Sequence, residues 1–348
     1  MIILRPIQMT DLDVLLDIAG KIGYGMTTLP PDRAVLQRRI EESMLSFELK
    51  VQKPRGETYL FVLEDTAVRR VAGVCGITSK VGGFDPFYSY RLRSEPCVSK
   101  ALNVNKTIPI LELTVNYDGP AIVGSLFLLP EYRKDGNGRF LSLARYLFIA
   151  QFASRFETHV IAEMRGVIDR DGRSPFWDAV GRWFFEIDFP KADYMTMADK
   201  QFIADLMPKY PLYIPLLEPA AQEVIGKVHP DTLPALKILQ DEGFVFQNLV
   251  DIFEAGAVYG CPRDQIRAVR ESREAVVNKL LDHSQPGSAE QATHLVSNTH
   301  LAGFRACKTN VVPTADGQVS IDAATAAALE IKTGDHVRYV MMRAKTSK

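Results

Sequence analysis

Apolar and polar residues alternate in blocks along the chain, and the clearest block covers residues 121–152. Residues 121–130 read AIVGSLFLLP, an apolar run that predicts a buried strand and ends at a proline. Residues 131–138 read EYRKDGNG, a polar turn. Residues 139–152 repeat apolar side chains at three- and four-residue spacing, which predicts a helix with one apolar face. The chain is therefore organised around a strand, a loop and a helix.

The stretch before this unit mixes helices with antiparallel strands. Thr10, Asp11 and Asp32 are residues that cap helix starts, and apolar residues at helical spacing follow them. The predicted elements are a strand at 2–5, helices at about 11–22 and from Asp32 to about 47, a hairpin of strands at 59–64 and 70–78, an irregular aromatic stretch at 82–96, and a strand at 108–115.

The stretch after this unit predicts a closing set of elements that an insertion interrupts. A strand is expected at 159–165, a helical insertion at about 167–228 with helices at 178–185 and 200–208, a helix at 234–240, strands at 245–253 and 257–261, a mixed-charge helix at 263–281, and a small β-barrel at 299–342. The predicted fold class is α+β, with one domain over 1–260 and a helix-and-barrel domain over 261–348.

Composition narrows the class of protein. The 348 residues carry a formal net charge of −1, which argues against nucleic-acid binding, and no apolar run reaches the roughly 18 residues of a membrane span. The first residues do not have the form of a signal peptide. The four cysteines show no paired spacing, so they are expected to be reduced thiols of a cytoplasmic protein, with no metal site.

The loop before the central helix has the chemistry of an anion site. A helix start offers unpaired backbone N–H groups and partial positive charge, and Arg133, Lys134 and Arg139 add cations. Gly138 is followed by Arg-Phe rather than Lys-Ser/Thr, so the Walker pattern is absent. Leu141 stands where the Rossmann pattern needs its third glycine. The remaining pattern, Arg133-x-x-Gly136-x-Gly138, resembles the pyrophosphate loop of the GNAT acyl-CoA N-acyltransferases. The alternative is an ordinary basic turn between a strand and a helix, in which glycine serves only to reverse the chain.

Several further blocks, in order, make the resemblance closer. The chain resembles the arginine N-succinyltransferases of bacterial arginine catabolism along nearly its whole length. The blocks that carry this include Asp85-Pro-Phe-Tyr-Ser-Tyr-Arg91, Glu163-Met-Arg-Gly166, Ser174-Pro-Phe-Trp177 and Gly226-Lys-Val-His-Pro230. The resemblance implies transfer of succinyl from succinyl-CoA to the α-amino group of arginine, with no tightly bound cofactor. The chain departs from the family pattern at Val115-Asn-Tyr-Asp-Gly119 and at Glu254-Ala-Gly-Ala257, which leaves the acceptor amino acid open.

The resemblance also assigns roles to residues. It implies that His229 is the proton donor, although a polar residue before Pro230 is also a common helix start. It places a succinyl-CoA contact at Leu126, beside Phe127, where core packing is the alternative. The expected CoA-binding set is Leu126, Phe127, Arg133, Gly136, Asn137, Gly138 and Arg139. The expected substrate-binding set is Thr27, Thr28, Tyr88, Tyr90, Arg91, Glu163 and Arg165, chosen because both substrates carry charged, planar groups.

Two other functions remain compatible with the sequence. One is a related acyl-CoA N-acyltransferase that uses ornithine or another amine. The other is a non-catalytic partner subunit in a homo- or hetero-oligomer. A non-catalytic subunit has no need for the glycine loop together with His229, so the sequence favours an enzyme acting on small molecules.

Overall fold

One mixed sheet runs through the part of the chain that the computed structural model describes, which is residues 1–22, 26, 28–83, 85–196, 201–281 and 293–343. Its strands are β1 (Ile2–Pro6), β2 (Thr58–Asp65), β3 (Arg70–Thr78), β4 (Phe87–Ser99), β5 (Val104–Asn116), β6 (Ala121–Leu128), β7 (His159–Glu163), β8 (Leu212–Tyr213), β9 (Val245–Val250), β10 (Ala257–Pro262), β11 (Arg273–Leu281), β12 (His294–Asn298), β13 (Ala306–Thr309), β14 (Val312–Pro313), β15 (Val319–Asp322) and β16 (His336–Met341). They lie in the order β14-β15-β11-β16-β12-β13-β1-β2-β3-β6-β7-β10-β9-β4-β5-β8.

The helices pack around this sheet. They are α1 (Leu12–Ile22), α2 (Arg33–Glu48), α3 (Asn137–Gln151), α4 (Pro175–Ala179), α5 (Gly181–Phe185), α6 (Phe189–Met195), α7 (Gln201–Leu206), α8 (Pro219–Val224), α9 (Leu233–Asp241), α10 (Arg267–Arg270) and α11 (Ala323–Leu329). The prediction that a helix follows Asp32 is confirmed, and the side chain of Asp32 caps α2 by accepting a hydrogen bond from Val35 N at 3.0 Å. None of the helices in these described ranges is long and apolar enough to cross a membrane.

Helix α3 is the centre of the core, and it is more buried than its sequence predicts. Residues 140–149 are all buried, so the prediction of one apolar face was too narrow. The reason is that α3 packs against strands on both sides, including β12 and β16 near the C-terminus. The ring of Phe148 lies 5.0 Å from the rings of both Phe61 and Phe304, which joins α3 to β2 and to a segment that follows β12.

The C-terminal region differs from its predicted form in two ways. The expected helix at 263–281 is wrong beyond Arg270, because 273–281 form strand β11, where Ala275 and Val277 alternate inward. Strand β11 pairs with β16 and with β15, and this non-local pairing overrides the helical reading of its charges. The expected barrel is also not observed, since the described strands form an open arrangement. Strand β13 pairs with β1 through Ile3 and Cys307, which continues the main sheet.

One other stretch is more regular than predicted, and another is more interrupted. The stretch at 82–96 was expected to be irregular, but Phe87–Ser99 form strand β4, which pairs along its whole length with β5. The helix expected at 178–185 is interrupted at Val180 and becomes α4 and α5. The stretch predicted as an insertion holds α4 to α8 and the short strand β8, which pairs with β5. Trp177 is fully buried in a second apolar cluster there, whereas Phe184 is exposed.

Candidate active site

A gap between two parallel strands forms the site. Strands β6 and β7 pair only at Ala121–Val160 and Ile122–Ile161, and beyond these pairs they run without pairing to each other. A cleft of about 950 Å³ fills the gap, with residues 122–128 on one side and residues 162–165 on the other. The β7-facing edge of β6 therefore presents backbone N–H and C=O groups to the cleft, which an extended ligand can pair with.

Strand β6 is bulged where it borders the cleft. Its pairing with β3 shifts between Val74 and Gly76, and Ser125 has a φ of 51°. A bulge bends the strand and leaves one residue out of the ladder. The hydroxyl of Ser125 donates to Oγ1 of Thr28 at 3.0 Å, which ties the bulge to the loop after α1. Leu126 and Phe127 are half-buried and line the cleft, as their predicted contact with an acyl-CoA requires.

The glycine loop lies at the same cleft. Gly136 has a φ of 71° as the N-cap of α3, and no side chain caps this helix start. A Cβ added at Gly138 would meet no atom within 4 Å, so the space beside the first turn is open. Arg133, Gly136, Asn137 and Gly138 all line the cleft. Open backbone amides at the start of a 15-residue helix, flanked by a cation, suit a phosphate group.

Two arginines of the loop have protein partners. Arg133 donates from Nε to Leu128 O at 3.0 Å, and its guanidinium lies 5.7 Å from the ring centroid of Phe127. These contacts hold it beside the cleft. Arg139 forms an ion pair with Asp241 of α9 at 2.6 Å and does not line the cleft. The structure thus brings together the predicted CoA-binding residues with the exception of Arg139.

His229 lies beside the cleft, and its neighbours Asp231 and Thr232 form part of the lining. Its backbone N–H donates to Arg165 O at 2.8 Å, and its Nδ1 accepts from Asp231 N at 3.2 Å. Burial and the positive charge of Arg165 lower the pKa of His229, against an opposing effect of Asp231. While Nδ1 accepts this bond, the neutral ring carries its proton on Nε2, so Nε2 is the atom that can donate a proton and Nδ1 is the atom that can take up a second one when its contact with Asp231 N is released.

The predicted substrate-binding residues divide into four groups. Thr28, Glu163 and Arg165 line the cleft, whereas Thr27 lies outside the described residues. Tyr88 and Tyr90 are buried in the second apolar cluster and do not line the cleft. Arg91 is exposed on the opposite face of β4, at a separate cavity of about 500 Å³. For Arg91 the prediction of a place in this site is wrong, because side chains alternate along a strand and Tyr90 takes the inward position.

Three carboxylates outside the predicted sets line the cleft, those of Asp193, Asp251 and Glu254, and of these only Glu254 drew notice in the sequence, as part of a departure from the family pattern. Burial, with the charge of Asp251, raises the pKa of Asp193 to about 7. Burial raises the pKa of Asp251, and burial with the charge of Asp251 raises the pKa of Glu254 well above its usual range. Asp251 directly follows β9 and Glu254 lies three residues later, so their place at a strand end could have indicated them. Nothing in the sequence around Asp193 indicates a site. In the described residues no cluster of side chains could hold a metal ion.

Comparisons with known proteins agree along the whole chain. A family model described as arginine N-succinyltransferase beta subunit matches residues 2–268, and a model of the C-terminal domain of that subunit matches residues 273–341. Arginine N-succinyltransferases of Escherichia fergusonii and Salmonella paratyphi B are 41% and 42% identical to this chain, over 99% of it and over 99% and 98% of their own lengths. The solved structure of arginine/ornithine succinyltransferase subunit AI from Pseudomonas aeruginosa has 32% identity and a TM-score of 0.89, with 99% of each chain covered.

Proposed function

This chain belongs to the arginine N-succinyltransferase family, and we propose that it transfers a succinyl group from succinyl-CoA to the α-amino group of L-arginine, a step of arginine catabolism. The observation that carries the proposal is the single cleft between β6 and β7. It joins a phosphate-binding helix start, an open strand edge and a set of charged side chains. These are the parts that a thioester of CoA and a cationic amino acid require.

The CoA part follows from the geometry of the loop and the strand. The diphosphate of CoA binds the backbone N–H groups at Gly136 and Gly138, beside Asn137, whose own N–H donates to Lys134 O at 3.0 Å. The pantetheine amides pair with the open edge of β6 at Leu126, in the manner of an added strand, while Phe127 pairs with Val74 of β3. This places the thioester near the bulge at Ser125. CoA acts as a co-substrate that leaves after each turnover.

The acyl transfer itself is a substitution at the thioester carbon. The amine nitrogen forms a bond to this carbon, the carbon–sulfur bond breaks, the nitrogen loses a proton and the sulfur of CoA gains one. His229 supplies the proton to the departing thiolate, and in its resting neutral form it can receive the proton of the amine. Arg165, whose backbone oxygen holds His229, is a cation of the cleft that suits a carboxylate of either substrate.

A second acceptor is also supported by one specific comparison. The relative from Pseudomonas aeruginosa is described as an arginine/ornithine succinyltransferase subunit. Ornithine shares the α-amino acid group and a cationic side chain with arginine, so the same cleft suits both. Because that relative is a subunit, assembly with a partner chain is a further proposal for this chain. The intact loop and His229 support a chain that is itself catalytic, whether or not it assembles with a partner.

The domain division proposed from the sequence places residues 1–260 in the acyltransferase domain and residues 261–348 in a C-terminal domain. The pairing of β13 with β1 and the packing of α3 against β12 and β16 connect these two parts. We expect them to unfold together rather than independently.

An acceptor panel tests the proposal directly. The purified chain is incubated with succinyl-CoA and arginine, ornithine, lysine or glutamate, and succinylated products are identified by mass spectrometry. Transfer to arginine at a higher rate than to lysine supports the proposal, and equal or slower transfer to arginine contradicts it. A melting temperature that rises with CoA alone supports a working CoA site by mass action.

A further inference from the structure

One part of the cleft carries a surplus of negative charge. Asp193 of α6 lies there with Asp251 and Glu254 of the turn between β9 and β10, and these three residues are called the acidic subsite below. Their charges act on one another, since Asp251 raises the pKa of both Asp193 and Glu254. Arg165 is the cation that opposes them, and within the described residues it forms no close ion pair with any of the three. Three carboxylates thus face one guanidinium.

Glu254 has an oxygen that lacks a partner. Its residue is 6% exposed, and Oε1 accepts a hydrogen bond from Gly166 N at 2.6 Å. Its other oxygen, Oε2, is buried with no hydrogen-bond partner among the described atoms. A buried acceptor without a donor is costly, and native proteins retain such groups where a ligand supplies the donor. Glu254 lines the cleft, so a ligand in the cleft can reach this oxygen.

We infer that Asp193, Asp251 and Glu254 bind the cationic side chain of the acceptor amino acid. This inference rests on the proposed function, and it adds the residues that select the acceptor. A guanidinium suits the subsite because its five N–H donors are spread over a plane and can reach separated carboxylates. A metal ion does not suit it, since the described side chains include no cluster that could hold one. Phe189 and Phe253 line the same cleft and provide apolar surface for the methylene stem.

The electrostatics of the empty subsite agree with this role. The raised pKa values mean that the carboxylates hold protons more readily than exposed ones do. A bound cation favours the ionised form, so binding of arginine should release protons into the buffer. Proton release is a property of the subsite that a merely structural cluster would not show.

Two variants and a neutral analogue test the inference. Glu254→Gln and Asp193→Asn each remove a charge while they keep the shape of the side chain. Citrulline has nearly the shape of arginine but no charge. We expect each variant to raise KM for arginine about ten- to hundredfold, the size of one lost charge-assisted hydrogen bond, with KM for succinyl-CoA unchanged. The preference in kcat/KM for arginine over citrulline should fall by the same factor.

The matched control is Asp188→Asn. Asp188 precedes α6, is exposed and does not line the cleft, so its variant should keep both KM values. Calorimetry of arginine binding to the wild-type chain in two buffers of different ionisation enthalpy measures the proton release.

The outcomes separate the inference from the proposed function. A wild-type chain that succinylates no cationic amine overturns both. Wild-type transfer to arginine, with an unchanged preference over citrulline in the two variants, overturns the acidic subsite alone. If one variant does not fold, the other decides, since they lie on different elements.

Discussion

Lys308 of β13 donates a hydrogen bond from its ammonium group to Oδ1 of Asn137 at 2.8 Å, the first residue of α3. The same ammonium donates to the backbone oxygen of Asp135 at 2.6 Å, and Asn137 in turn donates from Nδ2 to Tyr132 O at 3.1 Å. The C-terminal strands therefore reach across to the glycine loop and fix its shape. This contact gives those strands a physical role in the site, which the sequence did not indicate.

Replacement of Lys308 by methionine should loosen the loop. The variant loses charge-assisted hydrogen bonds that contribute about 1.5 kcal/mol each, so KM for succinyl-CoA should rise roughly tenfold. The effect on kcat should be small, because Lys308 acts through the loop and does not line the cleft. Steady-state kinetics with Lys332→Met, an exposed lysine of the same region, provides the comparison. Equal KM values in the two variants would show that Lys308 does not position the loop.

A carboxylate at position 138 should repel CoA. Gly138→Asp places a negative charge at the helix start where we propose that the diphosphate binds, so the Kd for CoA measured by calorimetry should rise at least about tenfold. Gly138→Asn has the same shape without the charge and separates repulsion from bulk. Both variants should fold, because a Cβ at this position meets no atom within 4 Å. An unchanged Kd in Gly138→Asp would remove the loop from the CoA site.

The buried ion pair between Arg267 and Glu242 should be important for stability. Glu242 is completely buried, and it accepts hydrogen bonds from Arg267 Nη2 at 2.7 Å and from Ala268 N at 2.8 Å. Arg267→Met leaves this carboxylate buried without its cation, which should cost about 3–5 kcal/mol in the free energy of unfolding. Arg93→Met breaks the exposed pair with Glu112 and should cost far less, because solvent screens that pair. Chemical denaturation of the two variants measures the difference, and equal losses would contradict the argument.

The sequence predicts the parts of this fold that local rules determine. The apolar run of β6, its end near Pro130 and the glycines before α3 are sufficient to locate the central unit and its anion site. The elements that were wrong depend on distant partners. Residues 273–281 mix charges with apolar side chains, and only pairing with β15 and β16 makes them a strand.

The residues of the candidate site likewise divide into those that local sequence indicates and those that only the folded chain brings together. The loop residues are adjacent in sequence and carry a recognisable pattern, so the sequence alone is enough to propose them. Asp193, Asp251 and Glu254 come from elements far apart in the chain, and their significance appears only when α6 and the turn after β9 meet at the cleft. Lys308 is a further case, since nothing near it in sequence indicates contact with a loop about 170 residues earlier.

The pKa of Asp193 predicts a pH-dependent gain in stability when this residue is neutralised. The folded pKa, about 7, lies above the unfolded value near 3.8. At pH 8 the carboxylate is ionised in both states, so the folded protein bears the full cost of burying the charge. At pH 5 the folded form is protonated and much of that cost is relieved. Asp193→Asn should therefore be more stable than the wild-type chain by about 1–3 kcal/mol at pH 8, and by less at pH 5.

Thermal unfolding at the two pH values checks this expectation. Asp188→Asn, on the exposed side of the same helix start, should show no such dependence. The gain in stability should accompany weaker binding of arginine, the trade-off expected where a site keeps an unfavourable charge for its ligand. A variant that is equally destabilised at both pH values would mean that Asp193 is a structural residue.

His229 requires a test that separates proton transfer from helix capping, because the structure gives it a capping contact. Its Nδ1 accepts from Asp231 N at 3.2 Å, and asparagine can provide the same acceptor. If His229 is the proton donor, His229→Ala and His229→Asn should both lower kcat by about 10²–10⁴, with a smaller effect on KM for succinyl-CoA. If it only caps the turn, asparagine should restore most of the activity that alanine loses. The pH profile adds a second criterion. In the proposed reaction the neutral ring receives the amine proton before it donates to the thiolate, and burial and Arg165 lower the pKa of His229 in the chain without substrates, so the rising limb of kcat/KM should lie below pH 6.5 in the wild-type chain and be absent from both variants. A folded His229→Asn variant that retains wild-type turnover and this limb would remove His229 from the chemistry.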